Sequence, residues 1–451
     1  MRIILFLALL IPGVAAAQNL SSLVDSAERH LPLLLEKQAL VGSAKAGVVA
    51  ARNSFLPSVN ALDEASLASS NSVPGPYESF GIIPSISSSV EAANNYQAAT
   101  GNLGIVYSEY ELVNFGLRRA KVQNAQAVVG VRQADLDFQS YLLKAQVSRL
   151  YFDLLKTAYQ LGVDQQNILR FVTIDTVINA LTASGIRPGV DSSLAKAELS
   201  KARVSYNERQ GTLAQLIQQL SYLTGIPAGQ IPVDTASGGS RTPDPALIDG
   251  KGDPLSNPLV MYYQREKEFY QSTETLVKKS YLPKIYLTGG AWGRGSSINY
   301  QDEYKALNTG LEYQRYNYMF GLTFAYNLFD PIHRRDELNQ SRLETKSSDF
   351  ALQQQELSLN SAAAQALEAI RAADNNLREI PIQIQAATDA YNQKVAQYKA
   401  GLINLVDLTD ASYVLYTAQL SFTETLNNWF TASLDRATAT GTLDQFIQRI
   451  K

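Results

Sequence analysis

The sequence predicts an α/β membrane protein, mainly α, written as two copies of one unit, each with two strands and a very long helix. Three observations predict it. Slid against itself by 216 residues, the chain matches at ten of the 45 positions from Leu181 to Gly225, Val190-Asp191 falling on Val406-Asp407. Unrelated segments of average composition would give roughly three matches. After the turn at Asn114-Phe115-Gly116 there is no strong helix breaker until Gly185, a run of about 65 residues that would be about 98 Å long as a helix. After Arg315, aromatic and apolar residues occupy every second position, the period of a strand with one apolar face.

Composition bounds the chemistry. The 451 residues contain no Cys, two His, 39 Lys+Arg and 42 Asp+Glu, for a net charge of −3. Without thiols there is no disulfide framework, no Cys nucleophile, no Cys-based metal site and no lipid-modified N-terminal Cys. The balanced charge lacks the basic face that a nucleic-acid partner requires. Charged residues make up 18%, below the usual quarter or so, so something other than water is expected to cover part of this surface.

At the N-terminus, Arg2 precedes an apolar run from Ile3 to Ile11, with Ala15 and Ala17 at signal-cleavage spacing. Residues 1–17 read as a secretory signal, because the apolar run is far short of the roughly 20 residues that span a bilayer. No later segment reads as a transmembrane helix, so membrane entry would be as β-strands.

Each copy then follows one order. A helix at about 32–53, and again at 258–279, stops at Leu56-Pro57 and Leu282-Pro283, because the residue before proline is pushed out of the helical region. Upstream of the strand pair the offset grows from 216 to 226, so the first copy holds ten extra residues between Pro57 and Tyr110, placed in an exposed loop. Two strand-like stretches separated by a polar loop follow, then a turn and the long helix. In the first copy Leu143, Val147, Leu150, Leu154, Leu161 and Ile168 form a coiled-coil seam. Pro381 interrupts the matching run of the second copy and predicts a kink there.

The last strand is the clearest. Tyr316, Tyr318, Phe320, Leu322, Phe324 and Tyr326 share one parity, opposite Asn317, Met319, Gly321, Thr323 and Ala325. That pattern suits a strand between lipid and lumen, although a sandwich strand facing a dry core has the same period. Leu103, Ile105 and Tyr107 lie on the opposite parity to Tyr110 and Leu112, which requires a bulge or a register break. The stretches from Val59 and from Ile285 to Trp292 alternate only weakly. Four strands cannot close a membrane barrel, so the chain is expected to oligomerise; two or three copies would satisfy the arithmetic.

The repeated order of helix, Leu-Pro, strand, loop, strand, turn, very long helix, Gly, Val-Asp, helix and Thr-Gly resembles the TolC family of outer-membrane efflux proteins over nearly the whole chain. The resemblance implies a homotrimer with a twelve-stranded β-barrel, four strands per chain, continued by a long α-helical coiled-coil tunnel that extends from the outer membrane into the periplasm. It implies a periplasmic adaptor and an inner-membrane transporter as partners, in efflux or type I secretion. The organisation is then signal 1–17, repeat 18–225, equatorial linker 226–257 and repeat 258–451.

In that family aspartates of the second repeat narrow the inner end of the tunnel, which assigns Asp407 and Asp410 as the periplasmic gate. Standing three apart, they share a helix face. As acids at a helix start they also oppose the macrodipole and could cap free N–H groups, and Asp191 has the same reading in the first copy. The family's tip contacts map to Tyr398 and Asp191, while its latching Arg is replaced by Ile403; Arg187, at the first-repeat tip, is a candidate substitute. Nothing marks a catalytic pair. His30 and His333 lack partners at triad or zinc spacing, and Gly238-Gly239-Ser240 lacks the Gly-Lys-Ser/Thr end of a phosphate loop. No catalytic residue, cofactor or metal is assigned, and the alternative function is a soluble periplasmic coiled-coil scaffold.

Overall fold

The computed structural model describes residues 19–72, 92–185, 188–231, 243–247, 252 and 254–450. The signal segment and Arg187 lie outside the described residues, as does half of the linker. The protein is mainly helical with one four-stranded antiparallel sheet. After helix α1 (Leu20–His30) the first copy runs α2 (Pro32–Asn53), β1 (Ser58–Ala68), β2 (Ala99–Val113), α3 (Leu117–Ala183) and α4 (Gly189–Thr224). The second repeats that order as α5 (Pro258–Ser280), β3 (Lys284–Ser296), β4 (Arg315–Ala325), α6 (Asp330–Lys399) and α7 (Leu405–Ala439), before a short α8 (Leu443–Arg449). Helix α2 ends four residues before Pro57, and α5 three residues before Pro283. Helix α6 continues through Pro381 over 70 residues, so the proline does not end it; it withdraws one N–H donor from the ladder. No described helix is long and apolar enough to cross a membrane.

One compact unit comprises Ser43–Val129 and Glu268–Lys346, and holds the sheet in the order β1-β2-β3-β4. The bulge or register break expected between Tyr107 and Tyr110 is not there, since β2 pairs with β3 without interruption from Gly101 to Glu111; the register shifts further on, where Glu111 pairs with Tyr286 and Val113 with Ile285 and Leu112 is passed over. Strands β1 and β4, at the two edges, are each 11 residues long and have one neighbour each.

The other unit comprises Met1–Gly42, Gly130–Lys267 and Ser347–Lys451. Its larger core gathers Leu143, Val147 and Leu154 of the α3 seam with Phe152, Trp429, Phe430 and Phe446, and α1 contributes Leu20 and Leu23. Phe152 stacks on Phe430 at 5.3 Å and meets Phe446 edge-on at 6.1 Å, geometries that add to area burial. Lys144 ties α8 to this core through Asp444 at 2.9 Å and also meets Glu28 at 3.4 Å. A second core at the far end of the long helices joins Phe171, Ile174 and Ile178 of α3 with Ala195 and Leu199 of α4, Tyr398 of α6, and Leu405 and Leu408 of α7.

Candidate functional site

The turn between α6 and α7 is built by local backbone chemistry. Leu402 N–H donates to the Gln397 carbonyl at 2.9 Å, and Gly401 N–H to that of Tyr398 at 3.0 Å. This pair of bonds reverses the chain with Gly401 at φ 77°, a conformation that a Cβ disfavours. Asn404 then caps α7, its Oδ1 accepting from Asp407 N–H at 2.9 Å. The capping expected of Asp407 and Asp410 thus belongs to Asn404, because the capping oxygen must come from the extended residue before the helix. Asp407 sits in the first turn, half-exposed, and keeps only the favourable macrodipole interaction. Asp410, a turn further on, is exposed and lines a cleft of about 270 Å³ with Lys201, Glu198 and Tyr413.

Tyr398 and Asp191 do come together. The tyrosine is 2% exposed and its hydroxyl donates to Asp191 Oδ2 at 3.4 Å, a long bond joining α6 to the first turn of α4. Ile403 packs against the same apolar cluster as Tyr398. Where the resemblance implies a latching Arg, this tip has an aliphatic side chain that adds to the packing.

A polar network not foreseen from sequence lies between α3, α4 and α7. Asp164 is 1% exposed and accepts from Arg209 Nε at 2.6 Å and from the Tyr416 hydroxyl at 2.7 Å; Arg209 also donates to Gln160. Burial and the neighbouring Asp164 raise the Tyr416 phenol above its ordinary pKa, so it remains a donor through the neutral range. One turn on, Arg170 donates to Gln419 Oε1 at 3.2 and 3.1 Å and to Asn167 Oδ1 at 3.3 Å. Burial lowers its pKa, as it raises that of the adjacent Tyr391. The signal for Asp164 was present, since stepping Leu150, Leu154, Thr157, Leu161, Asp164 and Ile168 puts a carboxylate in the coiled-coil seam, where a polar residue sets register.

In the sheet, Tyr316, Tyr318, Phe320, Leu322 and Phe324 form one face of β4 and are 66% to 80% exposed. Tyr326 lies just past the strand end. Among the described residues no second sheet covers that face, which removes the sandwich reading. Register carries it across the strands: Phe320 faces Gly289, which faces Ser108, which faces Val59. An exposed aromatic surface of this extent marks contact with a partner or lipid. His30 ends α1 against Gly225, His333 opens α6, and both are exposed.

The comparisons agree with this architecture. The family model described as outer membrane efflux protein matches residues 23–226 and 260–442. No curated protein matches. Among solved structures, the outer-membrane channel OprN is 16% identical, with a TM-score of 0.74 over 94% of this chain and 90% of its own. The outer membrane protein VceC from Vibrio cholerae is 13% identical, with a TM-score of 0.74 over 94% and 96%. The Campylobacter jejuni CmeC outer membrane channel is 15% identical, at 0.74 over 94% and 86%. These folds share the helical build with one small sheet, and a match across both repeats places the sequence with them: the chain belongs to the outer membrane efflux protein family.

Proposed function

We propose that three copies of this chain join edge to edge into a twelve-stranded barrel in the outer membrane. Their long helices extend into the periplasm as a tunnel that serves as a passive exit duct. In this reading a periplasmic adaptor and an inner-membrane transporter deliver the substrate, in a tripartite efflux or type I secretion system. The chain is organised as signal 1–17, repeat 18–225, linker 226–257 and repeat 258–451. The observation that carries the proposal is a four-stranded sheet with two free edges of equal length and an exposed aromatic face. Such a sheet satisfies its edge N–H and C=O groups in lipid only by pairing with further copies. A soluble scaffold would leave that aromatic face in water. Light scattering in mild detergent is expected to give about three times the mass of one processed chain, recovered from the outer-membrane fraction; a monomer would overturn both barrel and duct.

At the tip, Asp407 and Asp410 act as the gate in this proposal. Six carboxylates from three chains would form two rings whose field favours cations. Hexaamminecobalt added from the periplasmic side is expected to block conductance in planar bilayers, and Asp407→Ala with Asp410→Ala to abolish the block while nearly preserving trimer stability. Asn404→Ala should do the reverse, costing about 0.5–2 kcal/mol per chain with the block intact. Block that survives the double alanine variant would remove these residues from the gate. Tyr398→Phe is expected to raise resting conductance only modestly, since Ile403 stands where the resemblance implies a latching Arg and packs against the same cluster.

A further inference from the structure

The register of β1 places a carboxylate where the proposed function puts lipid. Asp63 pairs with Gly104, Gly104 with Gly293 and Gly293 with Tyr316, so one row across all four strands reads Asp, Gly, Gly, Tyr on the aromatic face. Weak alternation in β1 hides this from the sequence. A charged group on the lipid face of a barrel strand is destabilising in a depth-dependent way, carboxylates less than cations. Unless it is masked, Asp63 conflicts with the rest of the face.

The connection from β3 to β4 supplies the mask. Its turn at Leu307–Leu311 lies over β2: Thr100 Oγ1 donates to the Leu307 carbonyl, and Asn102 Nδ2 to that of Leu311 at 3.0 Å. Gln314 N–H then donates to the Arg294 carbonyl at 2.8 Å, which fixes the residue just before β4. Between these anchors the Tyr313 ring lies along the Asp-Gly-Gly-Tyr row, and its hydroxyl donates to Asp63 Oδ1 at 2.7 Å. Both glycines are needed for that path. A Cβ at Gly104 would stand 2.3 Å from the Tyr313 hydroxyl oxygen, and one at Gly293 would stand 3.0 Å from the ring. The ring centre of Tyr313 is 6.4 Å from that of Tyr316, so the aromatic face of β4 continues over the glycines to β1.

We propose that Tyr313 is a strap that masks Asp63 from lipid and ties the edge strand β1 to the β3–β4 hairpin, with Gly104 and Gly293 forming its seat. A hydrogen bond from a phenol to a carboxylate strengthens as water is excluded, so the same contact that is weak in an exposed setting becomes a fastening in a bilayer. The proposal rests on the lipid-facing reading of β4.

The test compares Tyr313→Phe, Asp63→Asn and the double variant, as purified full chains reconstituted in phosphatidylcholine vesicles and in mild detergent, by urea unfolding. Tyr313→Phe keeps the ring and removes only the donor. It is expected to lower the folded-to-unfolded ratio roughly tenfold or more in vesicles, and less in detergent. Asp63→Asn in the same chain should restore most of the loss, because an unpaired amide is cheaper in lipid than an unpaired carboxylate. A Tyr313→Phe chain as stable as the parent in vesicles, or a double variant no better than Tyr313→Phe, would overturn the masking role. Should Tyr313→Phe fail to fold, folding of the double variant still supports it and failure of the double still refutes it. Phe320→Arg in the same vesicles separates the two levels: if it is harmless, the lipid-face reading is wrong, whereas if it is damaging while Tyr313→Phe is silent, only the mask is wrong.

Discussion

Arginine at Phe320 or Leu322 is expected to cost about 2–4 kcal/mol in a bilayer, whereas arginine at Thr323, on the other parity of the same strand, is expected to be tolerated. The argument is positional. All three sites are in β4 and not buried, so propensity and local packing barely distinguish them. Only the medium on each side does, and a guanidinium loses its hydration against acyl chains but keeps it in a water-filled lumen. Insertion into vesicles, scored by protease protection and by urea midpoint, measures the difference. Equal impairment by Phe320→Arg and Thr323→Arg would mean that the two faces of β4 do not meet different media, and a reversed order that the inside and outside of the barrel have been exchanged.

Removing Arg209 should be the most damaging single change in the helical region. Arg209→Met leaves Asp164, 1% exposed, with Tyr416 as a remaining donor. An uncompensated buried carboxylate after loss of its partner typically costs about 3–5 kcal/mol, and the surviving phenol bond places this case near the lower end. Asp164→Leu combined with Arg209→Met should recover most of that loss, since an apolar pair fills the seam without desolvating a charge. Thermal unfolding of the purified full chain, compared across parent, single and double variants, checks both statements. A single variant as stable as the parent would show that water reaches Asp164 in the assembled protein.

Much of the fold is legible because its rules act over short distances along the chain. Leu56-Pro57 and Leu282-Pro283 follow the helix ends whatever surrounds them, and Gly401 reverses the chain through bonds confined to six residues, Gln397 to Leu402. The alternation from Tyr316 to Phe324 specifies a two-faced strand, and matches at fixed offset reveal the repeat before any element is assigned. At Pro381, where the sequence predicts a kink, α6 continues through the proline as one helix.

The candidate site was legible in part. That Tyr398 meets Asp191 was implied by resemblance, and the structure brings the two within 3.4 Å. Asn404 as the cap was missed, although Asn three residues before Asp407 is a recognised helix-start signal. Asp164 was also missed while standing in a seam whose apolar members had been counted.

What the sequence by itself determined is the elements of the repeated unit, their order, their duplication and the two-faced character of β4, because periodicity, turn chemistry and proline sterics are properties of neighbouring residues. Only the tertiary structure decided which residues of different elements meet. Asp63 faces Tyr313, Asp164 faces Arg209 and Tyr416, and Ile403 joins the apolar cluster around Tyr398. Strand register supplies the physical reason in the sheet. A one-residue slip would turn Asp63 to the opposite face, and weak alternation in β1 leaves that register to be set by its pairing with β2.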